Sequence, residues 1–164
     1  MADALKLKTK ILKILKIFPI EEIKSKNNDV KFALKITPFG KIKNLIVIIE
    51  YYNKVDMIRV VSSIATGKTL TENFKTKNEN EKNEIIAIFS KNMRARNFSP
   101  VIANDFAILE GYKLLFQQNM SAQGLFDTVT EGIFLLQDLA ELLYQADQSL
   151  KVPKVSETSK NMFQ

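Results

Sequence analysis

Three consecutive runs decide the fold: Val30-Lys-Phe-Ala-Leu-Lys-Ile-Thr37, Leu45-Ile-Val-Ile-Ile-Glu-Tyr-Tyr52 and Val55-Asp-Met-Ile-Arg-Val-Val-Ser-Ser-Ile-Ala65. In the first, Val30, Phe32, Leu34 and Ile36 share one face, and Lys31, Ala33, Lys35 and Thr37 the other. This period of two predicts a half-buried strand. Pro38-Phe39-Gly40-Lys41 then makes a turn, because proline fixes φ and glycine accepts a positive one. In the second run Leu45, Val47, Ile49 and Tyr51 form one apolar face, while Ile46 and Ile48 give the opposite face apolar character too. So dense a β-branched run predicts a strand covered on both sides. Asn53-Lys54 is short enough for a hairpin into a third strand over 55–65, with Ile58, Val60 and Ile64 on one side and Met57 and Val61 on the other.

Outward from this meander the chain reads as helices and strands that complete or cover a sheet. Residues 4–18 predict a helix with Leu7, Ile11, Ile14, Leu15 and Phe18 in one arc and Lys6, Lys10, Lys13 and Lys16 opposite, ended by Pro19. A basic amphipathic helix can lie on anionic lipid, but one docked on a sheet with solvated lysines needs no lipid. Residues 66–80 are polar and read as a loop or a frayed helix start. Thr66-Gly67-Lys68-Thr69 invites comparison with a phosphate-binding loop, but Ser62 stands where that motif needs its first glycine. A second helix is expected from Glu79 or Glu81 to about Asn97, burying Ile85, Ile86, Ile88, Phe89 and Met93. Lys91, Arg94 and Arg96 suit the negative end of its dipole.

Residues 98–116 predict two further strands, the first at an edge because of Pro100, with Glu110-Gly111 as a turn. Ser121 is a suitable N-cap for a closing helix to about Leu150. Its apolar stripe runs through Leu125, Val129, Gly132, Leu136, Leu139, Ala140, Leu143 and Leu150, with Asp147 intruding. Phe134 projects onto the opposite, acidic face beside Glu131, Asp138 and Glu141. From Lys151 onward the chain reads as a loose tail, so the expectation is one domain over 1–150 followed by a flexible 151–164.

The chain of 164 residues has no cysteine and no histidine and carries a formal charge of +6. Disulfides, thiol chemistry, Cys/His zinc sites and imidazole-based catalysis are thereby excluded. Charge is unevenly spread. Eleven lysines lie in residues 1–45, whereas 119–150 carry Asp127, Glu131, Asp138, Glu141 and Asp147 with no Lys or Arg. Such polarity can guide docking or partner choice. No apolar run is long enough for a membrane span, and the lysine-studded start does not read as a secretory signal, so a cytoplasmic location is expected.

The order helix, three-strand meander, helix, two strands and long acidic helix resembles the fold of the class I type III secretion chaperones and the related YbjN-like sensory-regulator proteins. It resembles more closely a small archaeal family of uncharacterised proteins sharing that fold. The residues concerned are the opening helix through Phe18, the meander with Ile36-Thr-Pro-Phe-Gly40, and the closing helix from Leu125-Phe126. The resemblance implies an α+β fold in which an antiparallel sheet of about five strands packs on helices. It further implies dimers that hold partner segments on their surfaces. The lysine-rich start departs from the usually acidic secretion chaperones.

These readings lead to a non-enzymatic, homodimeric protein-binding module, an adaptor or chaperone-like regulator needing no cofactor. Ile46, Ile48, Tyr52 and Phe134 are its candidate partner or dimer contacts. The alternative is a nucleic-acid-binding protein whose anionic partner meets Lys6, Lys10, Lys13, Lys16, Arg94 and Arg96. Only three arginines occur, with no stacking motif of the RNA-binding kind. A carboxylate enzyme has less behind it, since Asp105 stands alone and the neighbours Glu21 and Glu22 would not face each other on a helix.

Overall fold

A computed structural model describes residues 3–149. The chain is an α+β fold of two layers. A six-stranded, wholly antiparallel sheet in the order β1-β2-β3-β4-β6-β5 is covered on one face by helices. Its elements are α1 (Ala4–Ile14), β1 (Ile20–Ile23), β2 (Val30–Ile36), β3 (Leu45–Tyr52), β4 (Met57–Ala65), α2 (Lys68–Lys75), α3 (Glu79–Ala95), β5 (Ser99–Ile102), β6 (Ile108–Phe116) and α4 (Ala122–Ser149). The predicted Leu150 end of the last helix, the Asp147 side chain and the tail lie outside the described residues.

The meander folds as its alternation requires. Leu45, Val47, Ile49 and Tyr51 of β3 pair across to Ile64, Ser62, Val60 and Ile58 of β4. All eight are buried against the helices. At the near end of β2 a register shift places Val30 opposite Tyr52 and Phe32 opposite Tyr51. Val30 therefore leaves the face it was expected to share with Phe32, because a bulge residue breaks the period of two. β4 begins at Met57, not Val55, since Asn53–Val55 forms a 3-10 turn closed by Asp56 at φ 49°.

Four further expectations are corrected. The first helix ends at Ile14, four residues short, and residues 20–23 make an additional edge strand. Ile20 and Glu22 of this strand pair with Ile36 and Leu34. Four residues are too few to show a periodicity of their own. Residues 68–75 form a helix where a loop or frayed start was expected. It is anchored by Phe74, which is buried and stacks on Phe106 at 4.7 Å. Glu110-Gly111 is mid-strand, with Gly111 between Ser62 of β4 and Pro100 of β5. The turn falls earlier, where Phe106 adopts φ 62° and donates its N–H to the Ala103 carbonyl at 2.8 Å. Finally, among the described residues β3 is buried on one side only: Leu45, Val47, Ile49 and Tyr51 are buried, with α4 packed against Val47, while Ile46, Ile48 and Tyr52 are half-buried.

Helix boundaries have local causes. The Asn78 side chain accepts from the Glu81 N–H while Glu81 reaches back to the Asn78 N–H, a capping box opening α3. At its other end Asn97, at φ 59°, donates to the Arg94 carbonyl and Phe98 to that of Met93. These two bonds satisfy the last carbonyls of the helix. The Ser121 hydroxyl accepts from the Gly124 N–H at 2.9 Å and so caps α4 as expected. That helix lies closely on the sheet at two glycines. A Cβ on Gly132 would meet Ser62 Oγ at 2.6 Å, and one on Gly111 would meet Leu135 Cδ2 at 2.8 Å.

Candidate interaction surface

Among the described residues, no helix is packed on the face of the sheet that carries Ile46 and Ile48. Cross-strand partners share a face, so the register defines it row by row. Lys35, Ile48, Val61 and Tyr112 form one row. Ala33, Glu50, Arg59 and Leu114 form the next, and Tyr52, Met57 and Phe116 a third. Ile46, Ser63, Glu110 and Val101 make the row on the other side. Leu114 and Phe116 are 44% and 48% exposed, and Ile46, Ile48, Tyr52 and Met57 are half-buried by their neighbours alone. Val61 and Ala33 at the centre are 2% and 1% exposed, so the apolar surface is carried by the residues around them.

The polar groups within this face are matched to one another. Arg59 forms an ion pair with Glu50 at 3.2 Å and lies over the Tyr112 ring at 4.8 Å. The Tyr52 hydroxyl donates to the same Glu50 at 3.1 Å. Burial and the Glu50 charge beside it raise the Tyr52 pKa, so the phenol stays protonated. Ser63 donates to Glu110 at 3.3 Å, and Lys35 is ion-paired with Glu21. The two ion pairs are neutralised before any partner arrives, which reduces the desolvation penalty of covering them, and the Glu110 carboxylate keeps its charge.

Of the predicted partner contacts, Ile46, Ile48 and Tyr52 come together here. Phe134 does not. It lies on α4 in the helical layer, 43% exposed, with the Arg96 guanidinium 5.6 Å from its ring. Arg96 also bonds Asp138 at 2.6 Å and Glu131 at 3.0 Å. The Asp138 bond, then the two carboxylate charges, hold its pKa up against partial burial. This cluster ties the end of α3 to α4, so Arg96 is already engaged by acids and Phe134 is partly roofed by it. Nearby, Lys113 sits over the Phe98 ring at 4.7 Å, and burial lowers its pKa against the opposing pull of Glu131.

The remaining predicted cations divide. Lys6, Lys10 and Lys13 line one shallow depression on α1 with Leu5 and Thr9. Lys16 is exposed in the turn after α1, and Arg94 is exposed at the far end of α3. No ion pair among the described residues involves any of these four lysines. Asp105 accepts from the Ala107 N–H within its turn, and Glu21 and Glu22 point to opposite faces of β1, paired with Lys35 and Lys8. Thr66 donates to the Phe106 carbonyl at 2.6 Å and Gly67 caps α2, so this tetrapeptide joins β4 to the helical layer.

Sequence reasoning missed Met57, Val61, Leu114 and Phe116 as parts of this surface. Their alternation was visible in each strand, but only the register, which seats β6 beside β4 and not after β5, joins them.

Comparison with known proteins agrees with the architecture. No family model matches the chain, and no curated protein matches it. An uncharacterised protein from Methanothermobacter thermautotrophicus is similar in structure, with a TM-score of 0.67 and 10% identity, over 87% of this chain and 97% of that one. A chain in the crystal structure of the ExsC–ExsE complex is similar with a TM-score of 0.52 and 6% identity, again over 87% and 97%. The likeness is one of fold, the chaperone-like fold that the element order resembled. Among the described residues, no helix is long and apolar enough to cross a membrane.

Proposed function

We propose that the protein is a non-enzymatic protein-binding module, chaperone-like or regulatory, that works by laying the uncovered face of its sheet against another polypeptide. The observation that carries this reading is the face itself: Ile46, Ile48, Leu114 and Phe116 present apolar side chains around the buried Val61, with Arg59–Glu50 and Lys35–Glu21 ion-paired and Glu110 hydrogen-bonded. Its fold likeness to a chain from a two-protein complex supports the same direction. Membership of the small archaeal group of this fold is part of the proposal, supported by the likeness to the Methanothermobacter protein. The test is co-purification from an extract of the source cells on tagged wild type and on Ile48→Lys. A stoichiometric protein retained by the first and lost by the second is expected; equal recovery on both, or none on either, refutes the reading.

A second reading, nucleic-acid binding through α1, is favoured by the gathering of Lys6, Lys10 and Lys13 in one depression. Phosphate contacts by several lysines would make affinity fall steeply with salt. Absence of retention in a low-salt filter-binding titration would dispose of it.

A further inference from the structure

We infer that the occupant of the open sheet face is a second copy of this chain, related by a two-fold axis running along the strands between β3 and β4. The inference deepens the protein-binding reading above and rests on it.

Three observations select a second copy over a foreign partner. The first is complementarity of the face with itself. Rotation about that axis keeps each residue at its own height along the strands and exchanges the two sides of the sheet. β2 of one copy then lies over β6 of the other, to within the roughly 30° offset of stacked sheets. Lys35 shares its cross-strand row with Tyr112, so in the pair it arrives above Tyr112, with Glu110 the next residue on the same face. A cation meets an aromatic ring and a carboxylate, twice, by symmetry. Near the axis itself, Ile48 of each copy lies over β4 of the other, where Val61 is buried among its own neighbours.

The second is electrostatic. The chain carries +6 overall, and two such molecules repel. The open face, however, holds Glu21, Glu50 and Glu110 against Lys35 and Arg59, each in contact with an opposite charge or a hydroxyl. The lysines of α1 lie in the other layer. Sheet-to-sheet contact therefore joins the copies through their near-neutral sides and holds the basic helices apart on the outside.

The third is extent. Four central strands at ~4.8 Å spacing and ~3.3 Å per residue, with the short edge strands added, give a footprint on the order of 700 Å². A standard-size interface takes about 800 Å² from each partner.

The chain has no cysteine, which makes the decisive experiment clean. Wild type should sediment at twice 18.7 kDa at micromolar concentration. Ile48→Cys, beside the axis, should be joined into a covalent dimer by a short bismaleimide, which spans the roughly 10 Å between stacked sheets, whereas Lys10→Cys on α1 should not. Ile48→Lys should sediment as a monomer with unchanged far-UV circular dichroism, its association weakened at least tenfold. A wild type that is monomeric throughout the micromolar range overturns the inference, as does a dimer that survives Ile48→Lys or crosslinks through Lys10→Cys alone. Neither result touches the co-purification test, since a foreign protein lost by Ile48→Lys would still establish protein binding on this face.

Discussion

At the scale of single residues, contact between Ser62 and Gly132 sets how near α4 lies to the sheet. The buried Ser62 hydroxyl donates to the Gly132 carbonyl at 2.9 Å, and a Cβ on that glycine would stand 2.6 Å from the same oxygen. Alanine is better than glycine in a helix by about 1 kcal/mol, yet here the overlap decides. Gly132→Ala should destabilise by about 1–3 kcal/mol, as overpacked cores do. Ser62→Ala should cost about 1 kcal/mol and should largely rescue Gly132→Ala in the double variant, as read from urea midpoints. Independent, additive losses would show that the hydroxyl is not what the new methyl strikes.

Tyr51 offers a pH-dependent test at the same scale. Burial, and then its 2.8 Å hydrogen bond to Asp56 with that residue's charge, push the phenol up to about 12. The unfolded chain releases this proton near its ordinary value of about 10. The folded form thus holds a proton that the unfolded form gives up. The associated stabilisation is complete below about pH 10 and disappears as pH rises towards 12. Tyr51→Phe should be less stable at neutral pH, by about 1 kcal/mol for the lost bond. It should also lose less stability than wild type between about pH 9 and pH 11 in denaturant titrations. Parallel curves would mean that Tyr51 does not titrate in this way.

At the scale of elements, α3 holds the edge of the fold through both its ends. Its start depends on the reciprocal Asn78–Glu81 capping box, and its end is tied by Arg96 to Glu131 and Asp138 of α4. Asn78→Ala should cost about 1 kcal/mol, with little dependence on salt. Arg96→Ala should cost no more than about 1 kcal/mol, because all three side chains are partly exposed, and the loss should shrink in high salt. Thermal melts in low and high salt separate the two. The short helix α2 belongs to the same end of the molecule, and Phe74, stacked on Phe106, is what fastens it.

For the whole molecule, the proposed pairing through one sheet face would tie stability to association. A second copy that binds only the folded form raises the melting temperature with protein concentration. Wild type should therefore melt several degrees higher at high than at low micromolar concentration, and Ile48→Lys should show no such trend. The exposed lysines of α1 should leave that dependence nearly unchanged by salt, since they lie in the other layer and far from the proposed contact.

By itself the sequence determined the class of the fold, the three central strands with their inward faces, the capped closing helix and the exclusion of thiol and imidazole chemistry. All of these follow from short-range facts: a period of two or 3.6, a capping side chain, the absence of a residue type. Tertiary structure alone decided the rest. The strand at 20–23 exists because β2 offers it an edge, and the helix at 68–75 because Phe74 finds Phe106. Gly111 is mid-strand because α4 comes too close for a side chain there, although a Glu-Gly pair in isolation reads as a turn. The second apolar side of β3 was legible as Ile46 and Ile48. Whether the chain would cover it was not, since that depends on which face of the sheet every helix chooses. That choice is made by long-range packing, and here the helices pack on the Val47 side, leaving the other without a helix among the described residues.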